Sequence, residues 1–195
     1  MLKILCSIPR RAWLVLTRPE RFFKKIVVDG SFEDAVIKAF LYGMLGGFAI
    51  FVISLIGGGA IHFGGFFVKI FVYPIVAVGV LFAFAGLMML LSEITGGNRD
   101  WELAVKGVSS IFFMYPVILI VDSLAWSCAS LWLISIFVDG YVLFLLYNIA
   151  YHCMGGKKLA VLVAIGGIAV LLCSIYGSGY GALWLAAKNH SVACI

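Results

Sequence analysis

Residues Phe67–Leu91 read FVKIFVYPIVAVGVLFAFAGLMMLL, a run in which Lys69 is the only charge. A helix needs about 20 mostly apolar residues to cross the hydrocarbon of a bilayer. This stretch is long enough to do so with some tilt. It is not isolated: from Ala35 to Ala187 the chain is almost continuously apolar, broken only at glycine-rich or charged points about one bilayer thickness apart. The chain is 64% hydrophobic and 12% charged, and a soluble fold of this size has no core that could hide so much apolar surface. The composition therefore predicts a polytopic membrane protein.

Five spans are predicted, at about Ala35–Gly57, Phe67–Leu91, Leu103–Leu124, Cys128–Tyr151 and Leu159–Ala186. Gly57-Gly58-Gly59 through Gly64-Gly65 separate the first two, and Gly96-Gly97-Asn98-Arg99-Asp100 the next two. Gly155-Gly156-Lys157-Lys158 precede the last. The run from Leu103 to Tyr151 far exceeds one crossing, so a tight turn is placed at Asp122–Ser127. Unpaired backbone groups are too costly in lipid, and continuous helical hydrogen bonding is expected in every span. No short alternating segments of the β-barrel kind occur. The fold class is an all-α membrane protein: five transmembrane helices preceded by an amphipathic interfacial helix. Its organisation is a basic interfacial segment over residues 1–33, a five-helix domain over 34–187 and a short tail over 188–195.

The basic residues orient it. Lys3, Arg10, Arg11, Arg18, Arg21, Lys24 and Lys25 precede the first span, half of the 14 in the chain. With that end cytoplasmic, the loops holding Arg99, Lys106, Lys157 and Lys158 are cytoplasmic too, and only Lys69 and Lys188 fall on the opposite side. That is the positive-inside pattern, and it puts the C-terminus outside. The net charge of +5 then reports topology and anionic headgroups, with no need of nucleic acid. Pro9, Arg10 and Arg11 interrupt the first apolar run, and no small-residue cleavage site follows it, so a cleavable signal peptide is not expected. Thr17-Arg18-Pro19-Glu20 has the pattern of a capping box with Pro in the first turn. Phe22 and Phe23 with Ile26 and Val27 would form one face of the helix behind it, Arg21, Lys24 and Lys25 the other. Such a helix is expected to lie in the headgroup region. Ser31-Phe32-Glu33-Asp34 caps the first span in the same manner.

Thr17-Arg18-Pro19-Glu20-Arg21-Phe22-Phe23 is followed by the closely spaced spans, the Gly96-Gly97-Asn98 loop leading through Trp101 and Gly107 to Tyr115-Pro116, then Trp132, Asp139-Gly140-Tyr141 and Met154-Gly155-Gly156-Lys157-Lys158-Leu159-Ala160. Over roughly Thr17 to the end of span five this order resembles the Yip domain family, five-span membrane proteins named for interaction with Rab-type GTPases. The resemblance implies a contact role in a membrane. Eukaryotic members sit in Golgi and endoplasmic-reticulum membranes and carry a long hydrophilic N-terminal region with an acidic-aromatic-Gly-Pro motif. This chain has a short basic N-terminus without that motif, and its shape is closer to the compact prokaryotic members. A prokaryotic inner membrane is the expected location.

Within the spans, Asp139 is the side chain with the most chemical interest. A carboxylate in hydrocarbon costs a few kcal/mol on insertion scales, so it should face the bundle interior. There it either serves a proton or cation site or bonds a neighbouring helix through Tyr115, Ser109, Ser110 or a carbonyl freed by Pro116. Pro116 removes one helical hydrogen bond near Phe112, and next to Tyr115 this reads as a fixed kink or a cation-coordinating spot. Asp122 is the remaining candidate. Placed at the turn, it would lie roughly 15–20 Å from Asp139 at the helical rise, and direct pairing is not expected. Asn148 and His152 share a helix face. Gly43 and Gly47, and again Gly166 and Gly167, are spaced to let helices approach closely. Ser174–Gly181 bears a faint likeness to a channel filter loop. The five cysteines have no metal spacing, and phosphate-loop, nucleophile-elbow and zinc-protease motifs are absent.

The reading is non-enzymatic, with no cofactor. A lipid or partner face is formed by Arg18, Arg21, Phe22, Phe23, Lys24, Lys25, Arg99, Trp101, Lys157 and Lys158. Its occupants are anionic lipid headgroups, a protein partner, or a second copy packed through the glycine seams. The alternative is a small ion or proton permease using Asp139, Tyr115, Pro116 and Asp122. An odd number of spans places Cys6 and Cys194 on opposite sides: a membrane-impermeant maleimide applied to sealed cells is expected to label Cys194 and spare Cys6, and equal labelling of both rejects five spans.

Overall fold

The computed structural model describes residues 13–25, 31–56, 63–127 and 131–170, and it is helical with no strand among them. After a helical turn at residues 13–17 come α1 (Pro19–Lys25), α2 (Phe32–Ile56), α3 (Phe63–Thr95), α4 (Trp101–Ile111), α5 (Met114–Ser127) and α6 (Trp132–Asn148). A π-helical turn (Ile149–Cys153) extends α6, and α7 (Lys158–Val170) follows. Three helices, Phe32–Ile56, Phe66–Thr95 and Leu133–Cys153, are long and apolar enough to cross a membrane, and α4 with α5 makes a fourth if that bent pair is one span. The outer faces carry large exposed apolar side chains, among them Phe71, Ile75, Phe137 and Leu159. A water-soluble monomer does not present so continuous an apolar surface, so the helices are compatible with membrane integration. Residues 171–186 of the predicted fifth span, the Ser174–Gly181 stretch and the N-terminal residues through Ala12 lie outside the described residues.

Small residues set the first pairing. A Cβ on Gly43 would lie 2.6 Å from Pro74 Cα and 2.7 Å from Ala77 Cβ, and one on Gly47 would collide with the Lys69 carbonyl. The backbones of α2 and α3 therefore touch where other residues would hold them apart. On the next face, Gly46 receives Leu119 and the Pro116 ring of α5. At Gly166 and Gly167 nothing among the described residues lies within 4 Å of a Cβ. The capping box at the start of α2 is present, with Asp34 N donating to Ser31 Oγ (3.2 Å) and Ser31 N donating to Asp34 Oδ2 (3.3 Å).

Three expectations are corrected. The third predicted span is not a continuous helix, because α4 and α5 meet at a 53° bend. Pro116 has no N–H to donate to the Phe112 carbonyl. That carbonyl instead accepts from Tyr115 N at 3.0 Å, and Phe112 N donates to Ser109 O at 3.3 Å, so two tight turns replace one regular turn. The carbonyl thought free for a cation is occupied. Second, Thr17 does not cap α1: its hydroxyl donates back to Trp13 O at 2.8 Å, because residues 13–17 are themselves helical. Third, the turn after α5 falls beyond Asp122, since the helix persists to Ser127.

The segment before α2 runs alongside α6. Tyr141 Oη donates to Leu16 O at 2.9 Å, and Cys153 Sγ reaches Phe23 O at 3.8 Å. Two points seven residues apart on the segment, roughly 10 Å at helical rise, are thus held by side chains from α6 and from the π turn that follows it. Arg18, between residues 13–17 and α1, keeps the helical path, with Arg18 N donating to Leu14 O at 2.9 Å and Phe22 N donating to Arg18 O at 3.1 Å. Val15 and Phe23 are fully buried against the bundle.

Another close approach is at one end of the bundle, where a Cβ on Gly97 would meet Met154 O and Ser92 Oγ, each at 2.5 Å, and Gly156 N at 3.0 Å. All three neighbours are fixed by hydrogen bonds, so Gly97→Ala is expected to lose about 1–3 kcal/mol. Gly79, with nothing within 4 Å, should accept Ala without loss. Thermal unfolding of the two variants in detergent checks the contrast.

Candidate functional site

Two short sequences of the same kind, Thr95-Gly96-Gly97-Asn98-Arg99 and Met154-Gly155-Gly156-Lys157-Lys158, build this end of the molecule. Each ends a helix with a glycine in the left-handed region, φ +73° at Gly96 and +72° at Gly155, a conformation that glycine adopts without penalty. At the first, Gly96 N donates to Glu93 O (3.3 Å) and Gly97 N to Ser92 O (2.8 Å), the paired closure of a Schellman cap. At the second, Gly156 N donates to Ala150 O at 3.1 Å, one residue further back because the turn it closes is π-helical.

The two loops then bond each other reciprocally. Asn98 N donates to Met154 O at 2.6 Å, and Lys157 N donates to Thr95 O at 3.1 Å. In each case the residue after the glycine pair donates to the residue before the glycine pair of the other loop. Beneath them the buried Ser92 hydroxyl donates to Asn98 O (2.7 Å) and the buried Thr95 hydroxyl to Leu91 O (2.8 Å). The loops are rigid because their polar groups are used internally, which leaves their long side chains facing outward.

Those side chains are basic. Arg99, Lys157 and Lys158 are exposed. Arg99 pairs with Glu93 at 3.1 Å, but both groups are exposed, so the pair is worth little. The carboxyl ends of α3 and of the π turn converge here, and helix carboxyl ends favour nearby cations. Asp100 Oδ1 caps α4 by accepting from Glu102 N (2.9 Å) and Leu103 N (3.2 Å). Trp101 remains partly exposed and stacks on Phe82 at 6.2 Å, which stacks on Phe32 at 6.0 Å. The result is a fixed cationic surface edged by aromatic rings, suited to holding anionic groups.

The remaining members of the expected lipid or partner face divide. Arg18 and Arg21 are exposed and Phe22 is half-buried. Phe23 does not belong to that face: it is buried beside the π turn, edge-on to Phe22 at 5.4 Å. The side chains of Lys24 and Lys25 lie outside the described residues.

A second cluster lies at the other end of α6. Ser135 Oγ donates to Asp122 Oδ1, and Asp139 stands one helical turn beyond Ser135 on the same face. Asp122 acts on Asp139 electrostatically. The expected 15–20 Å separation is therefore wrong, because α5 carries Asp122 more than a turn before its end, opposite the second turn of α6. Tyr115 is two turns along α5 from Asp122, roughly 10 Å away, stacked on Phe112 at 5.3 Å. It lines an apolar cavity of about 60 Å³ with Phe84, Ile111 and Leu146. Pro116 packs instead toward Gly46. The four candidates of the permease reading thus form one carboxylate pair and two separate packing sites. No group of three His, Cys, Asp or Glu side chains suited to a metal occurs among the described residues.

Sequence reasoning missed Ser135, Tyr141 and the loop pairing. The repeated Gly-Gly-polar-basic pattern was the available signal for the pairing, and the four-residue spacing from Asp139 was the signal for Ser135.

Because Ser135 is buried, Ser135→Ala should leave the Asp122 carboxylate short of a donor and lose about 1–3 kcal/mol. Asp139→Asn should be neutral or stabilising, since it removes a like charge. Thermal unfolding of both variants decides whether the pair is held by that hydroxyl.

In comparisons with protein families, with characterised proteins and with solved structures, nothing matches this chain.

Proposed function

We propose that this chain is a non-enzymatic integral membrane protein that acts through lipid or protein contacts at a cytoplasmic face, as its resemblance to the Yip domain family implies. The observation that carries the reading is the interlocked pair of glycine loops, which fixes the backbone that presents Arg99, Lys157 and Lys158 to the outside. A fixed cationic surface beside apolar helices matches the anionic headgroups of a cytoplasmic leaflet. In this reading α7 continues as a fifth span, the N-terminal segment stays cytoplasmic, and the membrane is a prokaryotic inner membrane. The exposed Arg18 and Arg21 of residues 13–25 add to the same face.

A second reading has its own observation. Asp122, Ser135 and Asp139 gather on one helix seam, as a proton or monovalent-cation site would require.

Each basic residue near an anionic leaflet contributes about 1 kcal/mol. Neutralising both Lys157 and Lys158 to Gln should therefore lower the preference of the purified protein for phosphatidylglycerol over phosphatidylcholine by roughly tenfold or more. Spin-labelled lipid association measures this. In parallel, potassium and proton flux from proteoliposomes should equal that of empty liposomes. Flux above that level that falls on Asp139→Asn overturns the contact reading in favour of the permease.

A further inference from the structure

We infer that residues 13–25 form a wedge inserted into the phospholipid leaflet beside α6, with Trp13, Leu14 and Leu16 among the acyl chains and Arg18 and Arg21 at the phosphates of anionic lipid. The inference rests on the membrane-contact reading and adds to it an element, a depth and a positioning residue.

Direction comes first. A helix lying flat in the headgroup region would cross the bundle axis, touching α6 at one level. This segment touches it at two levels, Tyr141 of α6 and Cys153 of the π turn, at points roughly 10 Å apart along the segment. Residues 13–17 therefore sit toward the apolar middle of α6 and α1 toward its loop end.

Chemistry follows the same gradient. At the inner end Trp13 is 67% exposed, and Leu14 and Leu16 are exposed as well. These are unpartnered apolar groups alongside a helix long enough to cross a membrane. At the outer end Arg18 and Arg21 are exposed, and no carboxylate pairs with them among the described residues. An apolar tip with a cationic collar is complementary to one leaflet of an anionic membrane.

Tyr141 fixes the depth. Pro19 has no N–H, so the Val15 carbonyl one turn earlier loses its helical donor. Such an orphan is costly away from water. The Tyr141 hydroxyl donates to the next carbonyl in that turn, Leu16 O, at 2.9 Å, and stands 3.5 Å from Val15 O. The break that frees the carbonyls and the side chain that occupies them thus dock the segment at one height. Buried Val15 and Phe23 anchor it on either side.

The test uses the full chain with its cysteines replaced by Ala, a nitroxide at Leu14→Cys or Glu20→Cys, and nanodiscs of phosphatidylcholine with phosphatidylglycerol. Power saturation with oxygen and with a water-soluble nickel chelate reads the depth. Position 14 should favour oxygen and position 20 the chelate. Tyr141→Phe should shift position 14 several-fold toward the chelate while a label at Phe40→Cys in α2 is unmoved, which keeps a folding defect distinct. Chelate access at position 14 equal to that at position 20, or no response to Tyr141→Phe, overturns the wedge. If lipid preference still depends on Lys157 and Lys158 when position 14 proves aqueous, only the wedge fails; if that preference is absent too, the contact reading falls with it.

Discussion

Two backbone hydrogen bonds, Asn98 N to Met154 O and Lys157 N to Thr95 O, tie together the two hairpins that make up most of the bundle. One hairpin is α3 with α4, the other α6 with α7. Their turns meet only because Gly97 and Gly156 have no side chain: a Cβ on Gly156 would stand 2.6 Å from Thr95 Oγ1 and from Val161 Cγ2. Both turns also close on a left-handed glycine. The same atoms thus serve three ends at once. They satisfy helix-terminal carbonyls, join two hairpins, and turn the basic side chains outward.

The rest of the bundle follows a single constraint, that backbone polar groups in an apolar surrounding must find partners within the chain. At two of the places where proline removes a donor, another group takes its place. At Pro116 the Phe112 carbonyl turns to Tyr115 N, and the helix bends. At Pro19 the carbonyls of Val15 and Leu16 turn to a side chain from another helix, Tyr141. The first remedy is local and yields a bend. The second is long-range and docks the N-terminal segment. Asn148 has no such remedy on its acceptor side: its Nδ2 donates to Phe144 O at 2.9 Å, and its buried Oδ1 has no partner among the described residues.

The carboxylate pair shows how small shifts in helix boundary decide chemistry. Predicting the turn at Asp122–Ser127 put Asp122 at a helix end and Asp139 in mid-span. The observed helix runs on to Ser127, and the next begins at Trp132. That brings Asp122 opposite Ser135, one helical turn from Asp139. Between residues 123 and 131 the only polar side chains are the serines Ser123, Ser127 and Ser130, which also occur inside helices, so the sequence alone left the turn's position open.

Hydropathy alone was enough to establish that this chain is built from long apolar helices, because a run such as Phe67–Leu91 has one charge and the length of a bilayer crossing. Glycine, proline and capping patterns likewise located the breaks at Gly96–Asp100 and Gly155–Lys158 and the helix start at Ser31, since these depend on near neighbours in the chain. Contacts between distant residues were not legible in that way. The reciprocal loop bonds, the burial of Phe23, the link from Ser135 to Asp122 and the seating of Leu16 on Tyr141 join residues 13 to 130 positions apart. Inside so uniformly apolar a chain, hydropathy does not distinguish a face turned to lipid from one turned to another helix. Only the packing of backbones against one another decided which side chains meet.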